Sequence, residues 1–468
     1  MVFSQTGHIH FIGICGTAMG SVAAAFRERG WVVTGSDENV YPPMSGVLRE
    51  RGILINEGYS ATNLPQKPDL VVVGNAVKRG NPELEAVLSQ RLFYLSLPET
   101  LKLFYLQGRH NYVVTGTHGK TTTTSMLAWL LYHGECKPSW LVGGVPHDLP
   151  SGCCLHNDSR FVVLEGDEYD TAYFDKRPKF MHYLPEVVIV NNLEFDHADI
   201  YKDMDEILLA FRRLIVTLPQ NGLILYNSDD AHCTEIAKSS PAKTLGIGLS
   251  QGADILLQWK PHFDGGVILE LENQEFTLNM SGEHNARNAA MAILAARHAG
   301  VAWPCLQEGI SRFQGVKRRQ EVRGEVGGVT IIDDFGHHPT AIRETLRGLR
   351  HRYAGRRLWA LFEPRSNTTR RAVFQNDLPQ ALAEADGVII AAVARPDQLP
   401  QDDILDPLAV VQAIAALGRE ASYQASTNEI VNWYCARAQE GDVVVVLSNG
   451  GFDGIHEKLL SALSLATA

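Results

Sequence analysis

The chain has 468 residues, 45% hydrophobic and 20% charged, with a formal net charge of −11 from 42 basic and 53 acidic side chains. That length suggests about three domains, and the composition is that of ordinary globular α/β protein. The acidic balance, without a long basic run, argues against a broad nucleic-acid footprint and for small-molecule substrates.

The first segment is taken as residues 1–107. A buried strand is expected over 8–14, a turn punctuated by Gly13, Gly16 and Gly20, a helix over 21–29, and a strand over 31–34 that ends at Ser36 and Asp37. A further strand, 70–73, ends at Gly74, Asn75 and Ala76. Strand–helix–strand alternation implies a parallel sheet, whose ligands sit beyond the strands' C-terminal ends. The opening apolar run is short and leads into glycines, which reads as a strand and not as a secretion signal.

The second segment, 108–316, opens with a strand over 112–115 and the loop Gly116, Thr117, His118, Gly119, Lys120 and Thr121, then Thr122. Met126, Leu127, Leu130 and Leu131 follow at helical spacing, with Gly134 as the stop. A glycine loop between strand and helix turns backbone N–H groups and the helix dipole toward phosphate oxygens. Lys120 can then reach the β/γ-phosphates and the Thr121 hydroxyl a Mg²⁺ ion. The spacing departs from the usual loop, because Val114 stands where its first glycine belongs.

Two further strands, 161–164 and 186–190, each run into a burst of polar residues. The first burst holds Glu165, Asp167, Glu168 and Asp170; the second holds Asn191, Glu194, Asp196, His197 and Asp199. Mg²⁺ takes oxygen ligands and keeps several waters, so one or two carboxylates suffice. Glu168 and His197 are the expected ligands with Thr121, whereas helix capping explains Asp170 and Asp199 as well. No Cys/His spacing supports zinc. Strand-like alternation near 250–280 is assigned only loosely. Residues 282–288, with His284, Asn285 and Asn288, come before an apolar helix, where a simple N-terminal cap is the plain alternative.

The third segment, 317–468, has strands at 329–332, 358–362, 388–392 and 443–447, again a doubly wound pattern. Polar runs follow three of them: Asp333, Asp334, His337 and His338 before Pro339; Glu363, Arg365 and Asn367; and Ser448, Asn449 and Gly450. Pro339 suits a helix's first turn, and Arg365 suits a carboxylate or phosphate. The seven cysteines, at 15, 136, 153, 154, 233, 305 and 435, form no CxxC pair and read as reduced cytoplasmic thiols. No apolar run of about 18 residues occurs, so no membrane span is expected.

The runs 116–123, 282–288 and 333–340, in that order, resemble the Mur ligase family, the ATP-dependent amide ligases of bacterial cell-wall synthesis. The likeness covers essentially the whole chain. It implies a Rossmann-like N-terminal domain that binds a UDP-sugar, a central P-loop ATPase-type α/β domain and a Rossmann-like C-terminal domain that binds peptide. Runs 35–44, 74–82, 173–180, 192–199, 363–368 and 448–452 resemble the branch that works in peptidoglycan recycling. That branch joins UDP-N-acetylmuramic acid to the murein tripeptide L-alanyl-γ-D-glutamyl-meso-diaminopimelate, with ATP giving ADP and phosphate. The alternative is the sibling that adds L-alanine.

By the same resemblance, Gly13, Gly16, Ser36, Asp37 and Asn75 hold the UDP-sugar, and Lys120, Thr121, Glu168 and His197 hold Mg-ATP. His284, Asn285 and Asn288 lie near the adenine and Asp334 near the ribose. His338 and Arg365 face the reacting centre or the peptide, and Ser448, Asn449 and Gly450 shape the peptide site. Several relatives carry a carbamylated lysine after the metal histidine. Here 208–215 offers Arg212 and Arg213 but no lysine, and arginine does not lose its proton. The reaction implied is attack of the lactyl carboxylate on the γ-phosphorus, then capture of the acyl phosphate by the peptide amine. Mg²⁺ and Lys120 offset the repulsion between anions, and His197 and His338 are candidate bases. Reactive groups on all three segments imply closure around the intermediate to exclude water.

Overall fold

The computed structural model describes residues 6–41 and 44–467. Pro42 and Pro43 of the run 35–44, and the first five residues used in reading the N-terminus, lie outside the described residues.

The N-terminal sheet holds β1 (His8–Ile12), β2 (Val32–Asp37), β3 (Leu54–Glu57), β4 (Leu70–Val73) and β5 (Tyr94–Ser96) in the order β3-β2-β1-β4-β5. Every pairing is parallel. Parallel strands are covered by helices on both faces, so the inner ones are apolar throughout. Accordingly β4 is Leu-Val-Val-Val and at most 1% exposed. The strand order reverses beside β1, which places a crevice at the ends of β1 and β4.

The central sheet contains β6 (His110–Thr115), β7 (Ser139–Leu141), β8 (Cys153–Cys154) and β9 (Phe161–Glu165). A small antiparallel hairpin, β10 (Asp170–Ala172) and β11 (Asp175–Pro178), follows directly. The sheet continues with β12 (Val187–Val190), β13 (Leu223–Asn227), β14 (Lys243–Gly248) and β15 (Ile255–Leu256). Its order is β15-β14-β13-β12-β6-β9-β7-β8. Strand β6 lies between β9 and β12, both parallel to it, so three strand ends meet at residues 115, 165 and 190.

The alternation near 250–280 forms β16 (Gln258–Pro261), β17 (Val267–Leu271) and β18 (Gln274–Leu278), a three-stranded antiparallel sheet. The last sheet holds β19 (Glu321–Val326), β20 (Val329–Asp334), β21 (Leu358–Phe362), β22 (Gly387–Ala391), β23 (Glu420–Gln424) and β24 (Val443–Leu447). Its order is β19-β20-β24-β21-β22-β23, parallel except for β19. Neighbours β20, β24 and β21 end at Asp334, Leu447 and Phe362, directly before three of the polar runs.

The architecture is thus three α/β domains built on parallel sheets. By compactness the chain divides differently, into two units: Met1–Leu193, Asp205–Ile255 and Met291–Leu306 form one, and Glu194–Met204, Leu256–Ala290 and Gln307–Ala468 the other. All seven cysteines are free thiols. No helix among the described residues is long and apolar enough to cross a membrane.

Candidate active site

In the first unit the glycine turn after β1 hangs on the end of β2. Gly13 has φ +87°, a conformation that favours glycine. Gly13 and Ile14 donate N–H to the Ser36 carbonyl at 2.8 and 3.0 Å. Asp37 accepts from the N–H of Cys15 at 2.8 Å and of Asn39 at 2.9 Å, and burial followed by this carboxylate pushes the Cys15 thiol up to about 11. Gly16 caps the helix Thr17–Glu28, and Asn75 is exposed at the end of β4. Ser36 differs in detail from expectation. Its hydroxyl is fully buried and donates to Glu83, so its carbonyl is the group that shapes the turn.

The phosphate loop joins β6 to the helix Lys120–His133. Gly116 has φ +124°, and a Cβ there would stand 3.0 Å from the Asn192 carbonyl. The loop is braced from the end of β12. Thr117 N–H donates to the Asn192 carbonyl at 2.9 Å and His118 N–H to the Asn192 side chain at 2.7 Å. Gly119 caps the helix in the left-handed region. The first-turn N–H groups, which have no acceptor within a helix, belong to Lys120, Thr121 and Thr122, the last two buried.

Lys120 folds back over the loop. Its ammonium donates to the carbonyls of Gly116 and Thr117 at 2.7 and 3.2 Å and pairs with Glu168 at 2.8 Å. Burial opposes its charge, but Glu168, with Asp167 and Glu165 beyond it, holds its pKa above the ordinary lysine value. The Thr121 hydroxyl donates to Glu165 at 2.8 Å, and the other Glu165 oxygen takes the Gly143 N–H at 2.6 Å. Thr121, Glu165 and Glu168 each offer a hard oxygen of the kind a Mg²⁺ ion takes. Glu165 was not singled out from the sequence. Its signal is the pairing of Val114 with Glu165, which sets it beside the loop.

In the second unit, residues 194–199 are held by the C-terminal sheet's loops. Glu194 accepts from the Thr340 hydroxyl at 2.9 Å and lies 3.4 Å from His338. His338 caps the helix Pro339–Arg352: its Nδ1 accepts the Thr340 N–H at 3.2 Å, and Nε2 faces the Phe195 carbonyl at 3.3 Å. Asp196 accepts from Thr368 at 2.7 Å and lies 3.7 Å from His337. Burial would raise its pKa, yet the His337 ring beside it and the neighbouring imidazoles hold it well below the usual range. Asp199 accepts from Asn367 at 2.7 Å. His197 sits at φ +58° in this run.

A second polar cluster gathers around Gln320, also missed from the sequence. Asp334 accepts the Gln320 N–H at 2.9 Å and the Gly336 N–H at 2.8 Å, and burial raises its pKa. The Gln320 side chain accepts from Ser281 at 2.8 Å and meets His284 at 3.3 Å. Burial, then Arg319, lowers the His284 pKa to about 4, so the ring is neutral. Asn285 bonds the Ser281 carbonyl at 2.8 Å and meets Asn288 at 3.4 Å. These residues lie within the helix Glu283–His298, not ahead of it as expected.

A third cluster lies at the ends of β21 and β24. Glu363 accepts from Ser448 at 2.5 Å and from Arg365 at 3.2 Å, while Gly450 donates its N–H to Ser448 at 2.9 Å. Arg318 donates to the carbonyls of Ser448 and Gly450 at 2.7 and 2.6 Å and so fixes the loop that carries Asn449. Arg365 is 38% exposed, which leaves its guanidinium open to an anion as well as to Glu363.

Comparison with known proteins matches three successive family models. They are "Mur ligase family, catalytic domain" over residues 8–108, "Mur ligase middle domain" over 114–296, and "Mur ligase, glutamate ligase domain" over 318–450. The chain is 41% identical, over 97% of its length and 98% of the relative's, to the UDP-N-acetylmuramate–L-alanyl-γ-D-glutamyl-meso-2,6-diaminoheptandioate ligase of Escherichia coli. It is 42% identical, over 98% and 99%, to the ligase of that name from Haemophilus influenzae. A crystal structure of a murein peptide ligase from Psychrobacter arcticus superposes with a TM-score of 0.70 at 38% identity, covering 98% of this chain and 99% of that one. With a phosphate loop, the polar strand ends and near-full-length likeness all in place, the chain belongs to the Mur ligase family.

Proposed function

We propose that this chain is an ATP-dependent ligase that joins UDP-N-acetylmuramate to L-alanyl-γ-D-glutamyl-meso-diaminopimelate through an acyl phosphate, in peptidoglycan recycling. The observation that carries the acceptor is the near-full-length identity to two ligases whose names state that ligation. Residues 1–107 would take the UDP-sugar, 108–316 the ATP and 317–468 the peptide.

The chain's own groups supply the steps. The glycine turn at Gly13 and Gly16, with Asp37 and Asn75, receives the sugar nucleotide. The first-turn N–H groups from Lys120 to Thr122 receive the triphosphate at a helix N-terminus. Thr121, Glu165 and Glu168 would hold Mg²⁺, to which the resemblance adds His197, and the ion would neutralise phosphate charge. On nucleotide binding, the Lys120 ammonium exchanges loop carbonyls for phosphate oxygens and stabilises the charge on the group in transfer. His284, Asn285 and Asn288 are assigned to the adenine and Asp334 to the ribose. The amine that attacks the acyl phosphate must lose a proton; His197 and His338 are the candidates to take it, His338 by releasing the Thr340 N–H that its Nδ1 accepts. Arg365, with Ser448, Asn449 and Gly450, is assigned to the peptide's carboxylates.

The test is ADP release with Mg-ATP, UDP-N-acetylmuramate and either the tripeptide or L-alanine. Release that requires the tripeptide, with the mass of the ligated product, is the expected result. Release driven by L-alanine alone overturns the acceptor assignment.

A further inference from the structure

The run 173–180 has no part in the roles assigned above. In the structure it supplies the tip and second strand of the hairpin β10–β11, which starts two residues past Glu168, the partner of Lys120. We propose that this hairpin fixes the spacing between the glycine turn and the phosphate loop, with Tyr173 and Phe174 as positioning residues for transfer of the phosphoryl group. The inference rests on the ligase reading for its substrates but not for its geometry.

The hairpin's root and stem are pinned. Lys179 pairs with Asp167 at 2.5 Å, Lys176 with Asp170 at 2.7 Å, and the Thr171 hydroxyl donates to the Arg177 carbonyl at 2.8 Å. Asp175 is held by Arg177 at 2.7 Å and His182 at 2.9 Å. Eight charged or polar side chains thus make a stiff stem that begins at the phosphate site.

The tip is apolar and belongs to the other sheet's core. Tyr173 and Phe174 pack on the cluster of Ile12, which ends β1 just before the glycine turn, with Val71 and Val73 of the neighbouring β4 and Val77 beyond it. Phe174 meets Tyr94 edge-on at 5.1 Å and Tyr173 at 5.1 Å. Tyr59, in the same cluster, brings its hydroxyl within 3.9 Å of the position a Gly13 Cβ would take. One continuous piece of chain therefore joins the Lys120–Glu168 pair to the packing beneath Gly13.

A separate tie lies at the helix Thr17–Glu28. Arg29, just past it, donates to the Phe104 carbonyl at 2.8 Å, bonds Asn157 and stacks over Tyr105 at 4.6 Å. With that tie intact, loss of the hairpin's tip lets the sheets shift without parting. A misplacement of about 1 Å between reacting groups costs up to roughly 100-fold in rate. Binding of each substrate to its own sheet should survive, while their reaction should not.

The experiment compares the unmodified chain with Phe174→Ala and Phe174→Tyr. In titrations, UDP-N-acetylmuramate and ADP are expected to bind Phe174→Ala within about threefold of the unmodified chain, while kcat falls by roughly tenfold to 100-fold. Phe174→Tyr, which keeps the ring, restores kcat. A kcat within threefold of normal, or affinities that fall in step with it, overturns the proposal. Should Phe174→Ala fail to fold, Tyr173→Ala is read the same way. A second readout does not depend on the substrates: the distance distribution between spin labels on unnatural residues at Lys67 and Lys137, both exposed. Phe174→Ala should broaden it; an unchanged distribution overturns the proposal even if the unmodified chain turns over other substrates.

Discussion

Lys120 is the side chain on which most local charge converges: three carboxylates raise its pKa, and Glu168, only 4% exposed, is its ion-pair partner. Lys120→Ala removes the cation from the transferring phosphate and leaves Glu168 without this countercharge. Loss of one such stabilising group costs roughly 10²- to 10³-fold in turnover. ADP release by Lys120→Ala is expected to fall by that factor, and release within threefold of normal would contradict the assignment. His284 gives a prediction in pH. Its folded pKa is lowered from 6.5 to about 4, first by burial and then by Arg319. A lowered histidine pKa means that the unfolded chain takes up the proton first. The stability it contributes is whole above pH 6.5 and declines as pH falls from there to about 4. His284→Gln, always neutral, should flatten that decline in urea midpoints measured at pH 7 and pH 5. Lys120 and Thr121 were given roles from the spacing of the phosphate loop, and Glu168 from the polar run that follows its strand. Glu165, Gln320 and Arg318 were not, since a hydrogen-bond partner is chosen by strand register and tertiary packing, and neither is written in local sequence.

At the scale of elements, period and punctuation carried most of the reading. The strands at 70–73, 358–362 and 443–447 fall where buried apolar runs predict them, and Gly134 ends its helix as expected. Boundaries moved where polar ends stay in the ladder: β2 runs on through Ser36 and Asp37, and β20 through Asp333 and Asp334, because their backbones pair with β3 and β24. The loosely assigned stretch near 250–280 is a three-stranded meander whose alternation was the right signal at too coarse a scale. The loop between β6 and its helix makes the sharpest demand on one residue. Gly116→Ala would force a side chain to φ +124° with its Cβ 3.0 Å from the Asn192 carbonyl. Backbone strain of that kind costs on the order of 1–3 kcal/mol. The substitution is expected to lower the melting temperature and to weaken ADP at least tenfold by titration; a variant normal in both would show that the loop does not need this conformation.

At the scale of the whole molecule, three segments were read from the sequence, and among the described residues three large, mainly parallel sheets are present beside two small antiparallel ones. Compactness nevertheless assigns residues 194–204 and 256–290 to the unit that holds the last sheet. Pairings such as Asn367 with Asp199, 168 positions apart, are invisible to any local pattern. The last sheet still has a core of its own. Along β21, Leu358, Ala360 and Phe362 face one cluster, whereas Trp359 and Leu361 face the other, as period-two alternation requires. Every buried member of both clusters lies between residues 329 and 463. A length near 150 residues buries about two-thirds of its surface on folding, enough for independent stability. Residues 317–468 expressed alone are therefore expected to unfold in one cooperative transition, reported by the emission of Trp359, which is fully buried in the native sheet. The fragment lacks Glu194 and Asp196, so the contacts these make with Thr340 and Thr368 are lost. Its midpoint in urea should accordingly rise when residues 194–204 are restored through a flexible linker. A fragment without any cooperative transition would mean that this sheet depends on the rest of its unit to fold, and an unchanged midpoint would mean that residues 194–204 serve the site alone.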